Sequence, residues 1–473
     1  MMNFMPVVLW TDALIFLLLA MILAGAWHIK KWPHLMLPWQ RVARSSMGMV
    51  SLLVLSLFVL VGLLDTLHYR AVLPDKNLAE KNNGQTVYSA EVISVLDTLA
   101  NGLKTRTEKT YSAPLAVYLY AKESMETPDG KILRDYPRLR FGGSHLVNIE
   151  RDWLSDVLQK TLLGAAAGLL FGLMLAGAVW KLFPRLQENK SSAIANSKHT
   201  DNPGLALLIA TLILSTLIGA VAHLTSFYHV LGTDKVGQDV LYLSLKSIRT
   251  GLVIGTITTL VMLPFALLLG IAAGYFRGWV DDVIQYIYTV LSSIPGVLLI
   301  AAAVLMMQVV IEMHPEWFDT SAARADVRLF ALCLILGVTS WTGLCRLLRG
   351  ETLKLRELEY IQAAQAFGVS SSRIITRHIV PNVMHIVLIA VVMEFSSLVL
   401  AEAVLSYVGV GVDPSTMSFG TLINAARLEM GREPMVWWTL AAAFGFMLVL
   451  VLAANLFADV VRDAFDPRLN RTE

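Results

Sequence analysis

The chain has 473 residues, of which 56% are hydrophobic and only 16% are charged, and its mean hydropathy is +0.61. Soluble domains carry about 25% charged residues, so this composition excludes an ordinary soluble protein and indicates an integral membrane protein. The net charge of +2 is too small to indicate binding to nucleic acid, and no such partner is expected.

Long apolar runs form nine candidate membrane spans, because each approaches or exceeds the roughly 20 residues that a helix needs to cross the hydrocarbon core. The runs lack the alternation typical of strands, and a lone helix satisfies its own backbone in lipid. The spans are about 8–28, 47–66, 160–182, 205–226, 251–275, 286–311, 328–348, 383–408 and 436–460. The sequence therefore predicts an all-α membrane protein.

The distribution of Lys and Arg predicts the orientation of these spans. The loop after the first span carries Lys30, Lys31, Arg41 and Arg44 and no acid. Such a loop is expected in the cytoplasm, which puts the N-terminus outside. The parity of the spans then places the C-terminus in the cytoplasm. The first ten residues contain no Lys or Arg, so the first span is not predicted to be a cleaved signal peptide.

The polar segments divide the chain into units. Residues 68–158 are expected outside, either as a small domain or as a cap packed on the outer ends of the helices. The Ser/Asn-rich stretch 184–204 predicts a cytoplasmic linker. The predicted units are two spans in 1–67, the outer segment, the third span with the linker in 159–204, and a six-span core in 205–473.

A basic loop at about 350–382 is the most informative polar segment. Residues at helical spacing within it are Tyr360, Ala363, Ala364 and Phe367. They predict a short amphipathic helix that begins near Glu359. Gly368 suits the end of that helix because it lacks a Cβ atom, and Pro381 starts or kinks the next span. The loop fits either a docking surface for a soluble partner or an ordinary basic helix at the membrane surface.

A second candidate functional segment lies just before the fifth span, where two glycines alternate with two acidic residues. These residues are Gly232, Asp234, Gly237 and Asp239. The glycines permit tight turns, and the carboxylates either contact substrate or serve as turn and N-cap residues for the following helix.

Three residues within predicted spans are candidates for a translocation pathway. Pro295 is expected to kink its helix, and that kink either shapes the pathway or is purely structural. Glu394 and Glu402 are ionisable groups in or near an apolar span, where they are costly. Both are expected on roughly one side of the helix. Glu394 either meets a cationic group of the substrate or is protonated or paired with Ser396, Ser397 or a neighbouring helix.

Other features predict packing rather than chemistry. Cys333 and Cys345 would lie about 18 Å apart on one helix, which is too far for a disulfide. The stretch Gly164–Gly168 predicts a close helix–helix contact. No phosphate-binding GxxxxGK[ST], HExxH, CxxC or nucleophile-elbow motif occurs, so no ATP site, metal site or catalytic residue is predicted on this chain.

The basic loop resembles the EAA loop of ATP-binding-cassette (ABC) importer permeases. That pattern is Glu-Ala-Ala, three residues, Gly, nine residues and Ile-x-Leu-Pro, and this chain has Gln362-Ala363-Ala364, Gly368 and Val380-Pro381 at matching spacing. It departs from the pattern at Gln362, His378 and Val380. The run from Glu359 to Asn382 is similar to the dipeptide and oligopeptide branch of these permeases.

Five further segments resemble the same branch in the same order. They are Leu231–Asp239 with Arg249, Gly274–Asp282, Ser293–Gly296, Glu402–Gly411 and Asp463–Arg468. The first departs at Gln238 and Tyr242, where the branch has Arg and Ser. The resemblance covers about 205–470, and the first 200 residues lie outside it.

The resemblance implies a six-helix type I importer core that forms a translocation pathway for peptides in a bacterial inner membrane. Glu359, Gln362, Ala363, Ala364, Phe367, Gly368 and Pro381 would belong to the loop that couples to the ATPase. The implied partners are ABC ATPase subunits that bind ATP and magnesium, a second homologous permease, an extracytoplasmic substrate-binding protein and membrane lipid. The chain itself is expected to hold no cofactor and to be no enzyme. The alternative is a stand-alone secondary transporter or channel that uses intramembrane carboxylates.

Overall fold

The computed structural model describes residues 4–31, 33–72, 88–126, 132–182, 202–318 and 320–465. Within these residues, nine helical segments are long and apolar enough to cross a membrane, which confirms the predicted fold class. Residues 184–201 of the predicted linker and 466–468 of the C-terminal motif lie outside the described residues.

The N-terminal module consists of helices with short strands between them. Its helices are α1 (Trp10–Lys31), α2 (Pro33–Arg44), α3 (Ser46–Thr66), α4 (Val95–Leu99), α5 (Asn101–Thr105) and α6 (Ile149–Leu182). Its strands are β1 (Phe4–Val7), β2 (His68–Ala71), β3 (Ile93–Ser94), β4 (Glu123–Glu126) and β5 (Ile132–Asp135). An antiparallel sheet of order β1-β2-β3 joins the start of α1 to the end of α3, and β4 pairs with β5.

The described part of the C-terminal core consists of helices joined by turns and loops. Its helices are α7 (Pro203–Leu224), α8 (Val240–Phe276), α9 (Trp279–Ser293), α10 (Gly296–Met313), α11 (Ser321–Ser340), α12 (Thr342–Arg356), α13 (Glu359–Ala366), α14 (Ser371–Ile374), α15 (Val380–Val408), α16 (Phe419–Glu429) and α17 (Trp438–Phe465). A 3₁₀ turn, Pro315–Trp317, follows α10, and a π-helical turn, Ile375–Ile379, joins α14 to α15.

The described residues between 68 and 148, here called the cap, pack on one end of the helices. Tyr111 lies in a buried cluster with Val240 and Trp438 from the starts of α8 and α17. Val117 packs with Tyr228 in a second cluster. Of the two predicted arrangements, the cap packed on the helix ends is therefore the one observed. Helix α6 begins at Ile149, earlier than its predicted span, because its first turns also pack against the cap.

Helix α8 lies at the centre of the core, and α11, α12 and α15 pack around it. Its approach to α12 is close, since a Cβ atom on Gly270 would lie 2.9 Å from the carbonyl oxygen of Cys345. Cys333 and Cys345 are free and buried in two hydrophobic clusters, and they lie on the successive helices α11 and α12 and not on one helix as predicted.

The predicted span 286–311 is wrong in detail, because two helices occupy it. Helix α9 ends at Ser293, and α10 begins at Gly296. A residue that precedes proline is disfavoured in the helical region, and Ile294 has an extended conformation (φ −88°, ψ 132°). Pro295 therefore separates two helices instead of kinking one.

The predicted small-residue contact is confirmed between α6 and α7. A Cβ atom on Gly164 would lie 2.6 Å from the carbonyl oxygen of Gly219, and Gly168 and Gly172 face Ser215. Each of these positions leaves no space for a side chain, so the two backbones are nearly in contact. Helix α7, the first of the core, thus packs most closely on the last helix of the N-terminal module.

Candidate functional site

Helix α13 is held by one buried residue and is otherwise exposed. Ile361 is fully buried, in a cluster with Leu348 of α12, Ile374 of α14 and Ile379 of the π turn. This anchor fixes the short helix on the end of α12. The helical spacing in the sequence indicated Tyr360 and Phe367 instead, and it missed Ile361 as the inward-facing residue.

The outer face of α13 combines polar, small and apolar side chains. Gln362 and Ala363 are exposed, Ala364 is half-buried, and Phe367 is 87% exposed. A large aromatic side chain in this position is unfavourable for an isolated chain. The face is therefore suited to contact with another protein.

Gly368 ends α13 in a conformation that favours glycine. Its φ is +73°, its N–H donates to Gln365, and the Val369 N–H donates to Ala364 (3.1 Å). No atom lies within 4 Å of a Cβ built on Gly368, so the position is also open to the outside. The backbone then passes through α14 and the π turn into α15, with Pro381 in the first turn of that helix.

Two ion pairs attach the start of α9 and Arg277 just before it to α12 and its C-cap Glu357. Arg349 donates to both carboxylate oxygens of Asp281, at 2.5 and 2.7 Å. These bonds hold the pKa of Asp281 below its ordinary value. Arg277 pairs with Glu357, whose carbonyl accepts from Gln362 (3.2 Å). Sequence reasoning did not select Asp281 and Arg349 as a pair, because only the fold brings them together.

The structure separates Glu394 from Glu402. Glu402 is 1% exposed and accepts hydrogen bonds from Ser406 (2.6 Å) and Ser418 (2.8 Å). It thereby ties α15 to the start of α16. Glu394 is half-exposed, and its carboxylate accepts from Ser397 (2.9 Å). Pro295 and the residues next to it in the sequence are also exposed.

The turn that contains Gly232 and Gly237 is pressed against the cap. Both glycines have positive φ, and a Cβ atom would collide with the carbonyl oxygen of Ser112 at Gly232 and with that of Glu108 at Gly237. Asp234 accepts from the N–H groups of Val236 and Gln238. This geometry favours the structural alternative for these residues.

Asp239 is the N-cap of α8, and its carboxylate also contacts a buried histidine that sequence reasoning missed. It accepts from the Leu241 N–H (2.9 Å), and its second oxygen lies 2.7 Å from His229 Nδ1. The other ring nitrogen lies 3.5 Å from Glu108. Burial lowers the pKa of His229, but the hydrogen bond to Asp239 and the nearby Glu108 carboxylate outweigh that effect and raise it to about 9.

The chain matches a known family over most of its core. Residues 266–471 match the family described as binding-protein-dependent transport system inner membrane component. This range contains the exposed α13, the Asp281–Arg349 pair and both intramembrane carboxylates.

Three curated relatives illustrate the similarity. The oligopeptide transport system permease protein OppC of Mycobacterium tuberculosis is 33% identical over 239 residues, 50% of this chain and 76% of that protein. The glutathione transport system permease protein GsiD of Pectobacterium atrosepticum is 32% identical, over 51% of this chain and 73% of that protein. The dipeptide transport system permease protein DppC of Lactococcus lactis is 29% identical, over 51% and 64% respectively. The chain therefore belongs to the binding-protein-dependent transport system inner membrane components, the multi-pass permease subunits of ABC importers.

Proposed function

We propose that this permease imports peptides and that separate ATPase subunits drive it through α13. The three relatives are named for the transport of oligopeptides, glutathione and dipeptides, all of which contain peptide bonds. The exposed face of α13, with Phe367 at its end, is the observation that carries the coupling role. ATP and magnesium would bind to the partner subunits.

The coupling would act through the contacts beneath α13. An ATPase that moved α13 would move Ile361 within its buried cluster, and so would displace α12 and the π turn that leads into α15. Packed elements of this kind shift as units. The Asp281–Arg349 pair would carry the same displacement to α9, whose far end reaches Pro295.

A second permease chain would cover the face that the N-terminal module leaves open. Helices α1 and α3 pack on α8, α11 and α17, whereas α10 and α15 expose Leu298, Met306, Met393 and Leu400. Glu394 and Ser397 lie on this part of α15. An ionisable group is costly against lipid, so a partner chain or an aqueous pathway is expected at Glu394.

The proposed orientation puts α13 and the C-terminus in the cytoplasm and the N-terminus and cap outside. The basic residues at the end of α1 support it. The cap would then be available to an extracytoplasmic substrate-binding protein.

The coupling role is tested by matched substitutions of two exposed glycines with positive φ, one on each side of the membrane. Gly368→Arg is expected to abolish co-purification with the ATPase and ATP-dependent peptide uptake, because Arg would project from the docking face. Gly409 (φ +90°) also has open space around its Cβ direction, so Gly409→Arg has a similar backbone cost but should retain the ATPase.

Phe367→Ala should weaken ATPase binding by roughly thirtyfold, the loss expected for an interface hot spot.

Equal ATPase retention by both arginine variants would contradict the coupling role of α13. Peptide uptake that persists without any ATPase, driven by an ion gradient, would instead support the stand-alone transporter.

A further inference from the structure

The connection between α1 and α3 lies on the side opposite the cap and contains basic residues but no acidic ones. No Asp or Glu occurs between Asp12 and Asp65. The exposed cations of this stretch are Lys30, Lys31, Arg41 and Arg44. These four side chains, together with Trp27 and Leu37, are called the basic belt below.

The fold keeps the basic belt at the membrane surface. Helix α2 has 12 residues and joins two spans that end on the same side. Val42 is buried against Val461 and Ala464 at the end of α17, and the Trp39 ring packs edge-on against Phe465 at 5.5 Å. Helix α2 is therefore fixed along the surface and cannot extend into the aqueous phase.

Apolar side chains beside the cations indicate contact with lipid. Trp27 is 64% exposed and Leu37 is 56% exposed. The Lys31 ammonium lies 3.2 Å from the centre of the Trp27 ring. Tryptophan is enriched at the level of lipid headgroups, and lysine next to it extends its charge toward the same level.

Three of the four cations are available to an external anion. Within the described residues, Lys30, Lys31 and Arg44 form no ion pair with a carboxylate. Helix α17, which packs on α2, adds the exposed acids Asp459 and Asp463 but also the exposed Arg462. Cations therefore remain in excess on this surface.

We propose that the basic belt binds the phosphodiester headgroups of anionic phospholipids such as phosphatidylglycerol. Basic side chains provide the charge complement, while Trp27 and Leu37 contact the adjoining acyl region. A soluble anion would gain only the first of these interactions. Each Lys or Arg near an anionic surface increases affinity about fivefold, so three together contribute on the order of a hundredfold.

The test uses the full chain in nanodiscs of phosphatidylcholine that contain a minor fraction of phosphatidylglycerol. Native mass spectrometry of the released protein counts the phosphatidylglycerol molecules that it retains. Wild type should be enriched in this lipid, and the triple variant Lys30→Gln/Lys31→Gln/Arg44→Gln should lose the enrichment. The matched control Lys122→Gln/Arg151→Gln/Lys235→Gln makes the same change of charge at exposed residues on the cap side and should retain the lipid.

A charge-preserving variant, Lys30→Arg/Lys31→Arg/Arg44→Lys, separates electrostatics from folding, and it should retain the lipid as wild type does. Equal enrichment in wild type and the triple Gln variant would overturn the proposal. Displacement of the lipid by inorganic phosphate alone would also overturn it, since the surface would then be a site for a soluble anion.

Discussion

At the scale of single residues, His229 connects the cap to the core. It is 3% exposed and lies between the carboxylates of Asp239 and Glu108. Glu108 in turn accepts backbone N–H groups of Arg140 and Phe141 in the cap. The charged imidazolium therefore has two anionic partners, each fixed by backbone hydrogen bonds, on opposite sides of the cap–core boundary.

This arrangement predicts a loss of stability at alkaline pH. The folded pKa of His229, about 9, is above the ordinary value of 6.5. The stabilisation is fully present below pH 6.5 and disappears as the pH rises through about 9, with a total of about 3 kcal/mol. His229→Gln should lower Tm at neutral pH and flatten the fall in Tm toward alkaline pH. His314→Gln, at a half-buried histidine away from the cap, is the control, and an unchanged alkaline slope in His229→Gln would contradict this role.

At the scale of elements, one face of α8 carries two cations that bind the N-terminal module. Arg249 Nη2 lies 2.6 Å from Asp12 of α1, which is fully buried, and the same cation lies 3.8 Å from Asp326 of α11. Lys246 Nζ lies 2.7 Å from Asp65 of α3 and 2.9 Å from Asp97 of the cap. The start of α1 is thus fixed between α8 and α11 by buried charges.

Removal of one member of a buried pair leaves the other without its partner, at a cost of about 3–5 kcal/mol. Arg249→Met should therefore lower Tm strongly, and adding Asp12→Asn should restore part of the loss. Arg432→Met, which breaks the exposed pair with Glu429, should cost less than about 1 kcal/mol. Thermal unfolding of the purified chain measures these three variants and Asp12→Asn alone, and strictly additive effects of Arg249→Met and Asp12→Asn would exclude direct coupling.

At the scale of the whole molecule, the N-terminal module covers one side of the core and leaves α10 and α15 open. Glu394 and Glu402 lie on the same helix but differ in burial, because the start of α16 covers Glu402 and leaves Glu394 half-exposed. Glu402 bonds to two serines, whereas Glu394 is half-exposed and, under the proposed function, would face the pathway.

These positions predict distinct effects of two identical substitutions. Glu394→Gln should raise KM by roughly tenfold for peptides with a free, cationic N-terminus, since about 1.4 kcal/mol of binding is lost. It should leave KM for N-acetylated peptides unchanged. Glu402→Gln should instead lower Tm and the amount of folded protein. Uptake assays with both peptide classes provide the measurement, and wild-type KM values for both classes in Glu394→Gln would exclude a role in substrate contact.

The sequence predicted the helices well, because each apolar run has one stable form in lipid. The limits of α13 near Glu359 and Phe367 also followed from local patterns, as did the glycine at its end. The break at Ile294 and Pro295 was predicted only as a kink, since the apolar run continues past the proline.

Contacts between segments that are far apart in the chain could not be predicted from the sequence. The burial of Ile361 depends on residues of α12 and the π turn, and a short helix with apolar residues on two sides does not reveal which side is covered. His229 had no local signal, because Glu108 is far from it in the chain. Asp12 likewise acquires its importance only from Arg249.

The glycine contact between α6 and α7 has a consequence for how the chain can be divided. Helix α7 faces α6 with the small residues Gly219 and Ser215, so its backbone is exposed along this line. Only a helix that also has small residues there can pack closely against it. Lipid tails cannot match that surface as closely, so α7 without α6 would lose its dispersion contacts. Helix α6, which belongs to the extra N-terminal residues, thus completes the packing of the permease core. A shortened chain that starts at α7 would lose the contact between α6 and α7. The additional residues are structural parts of the permease and cannot be removed as an appendage.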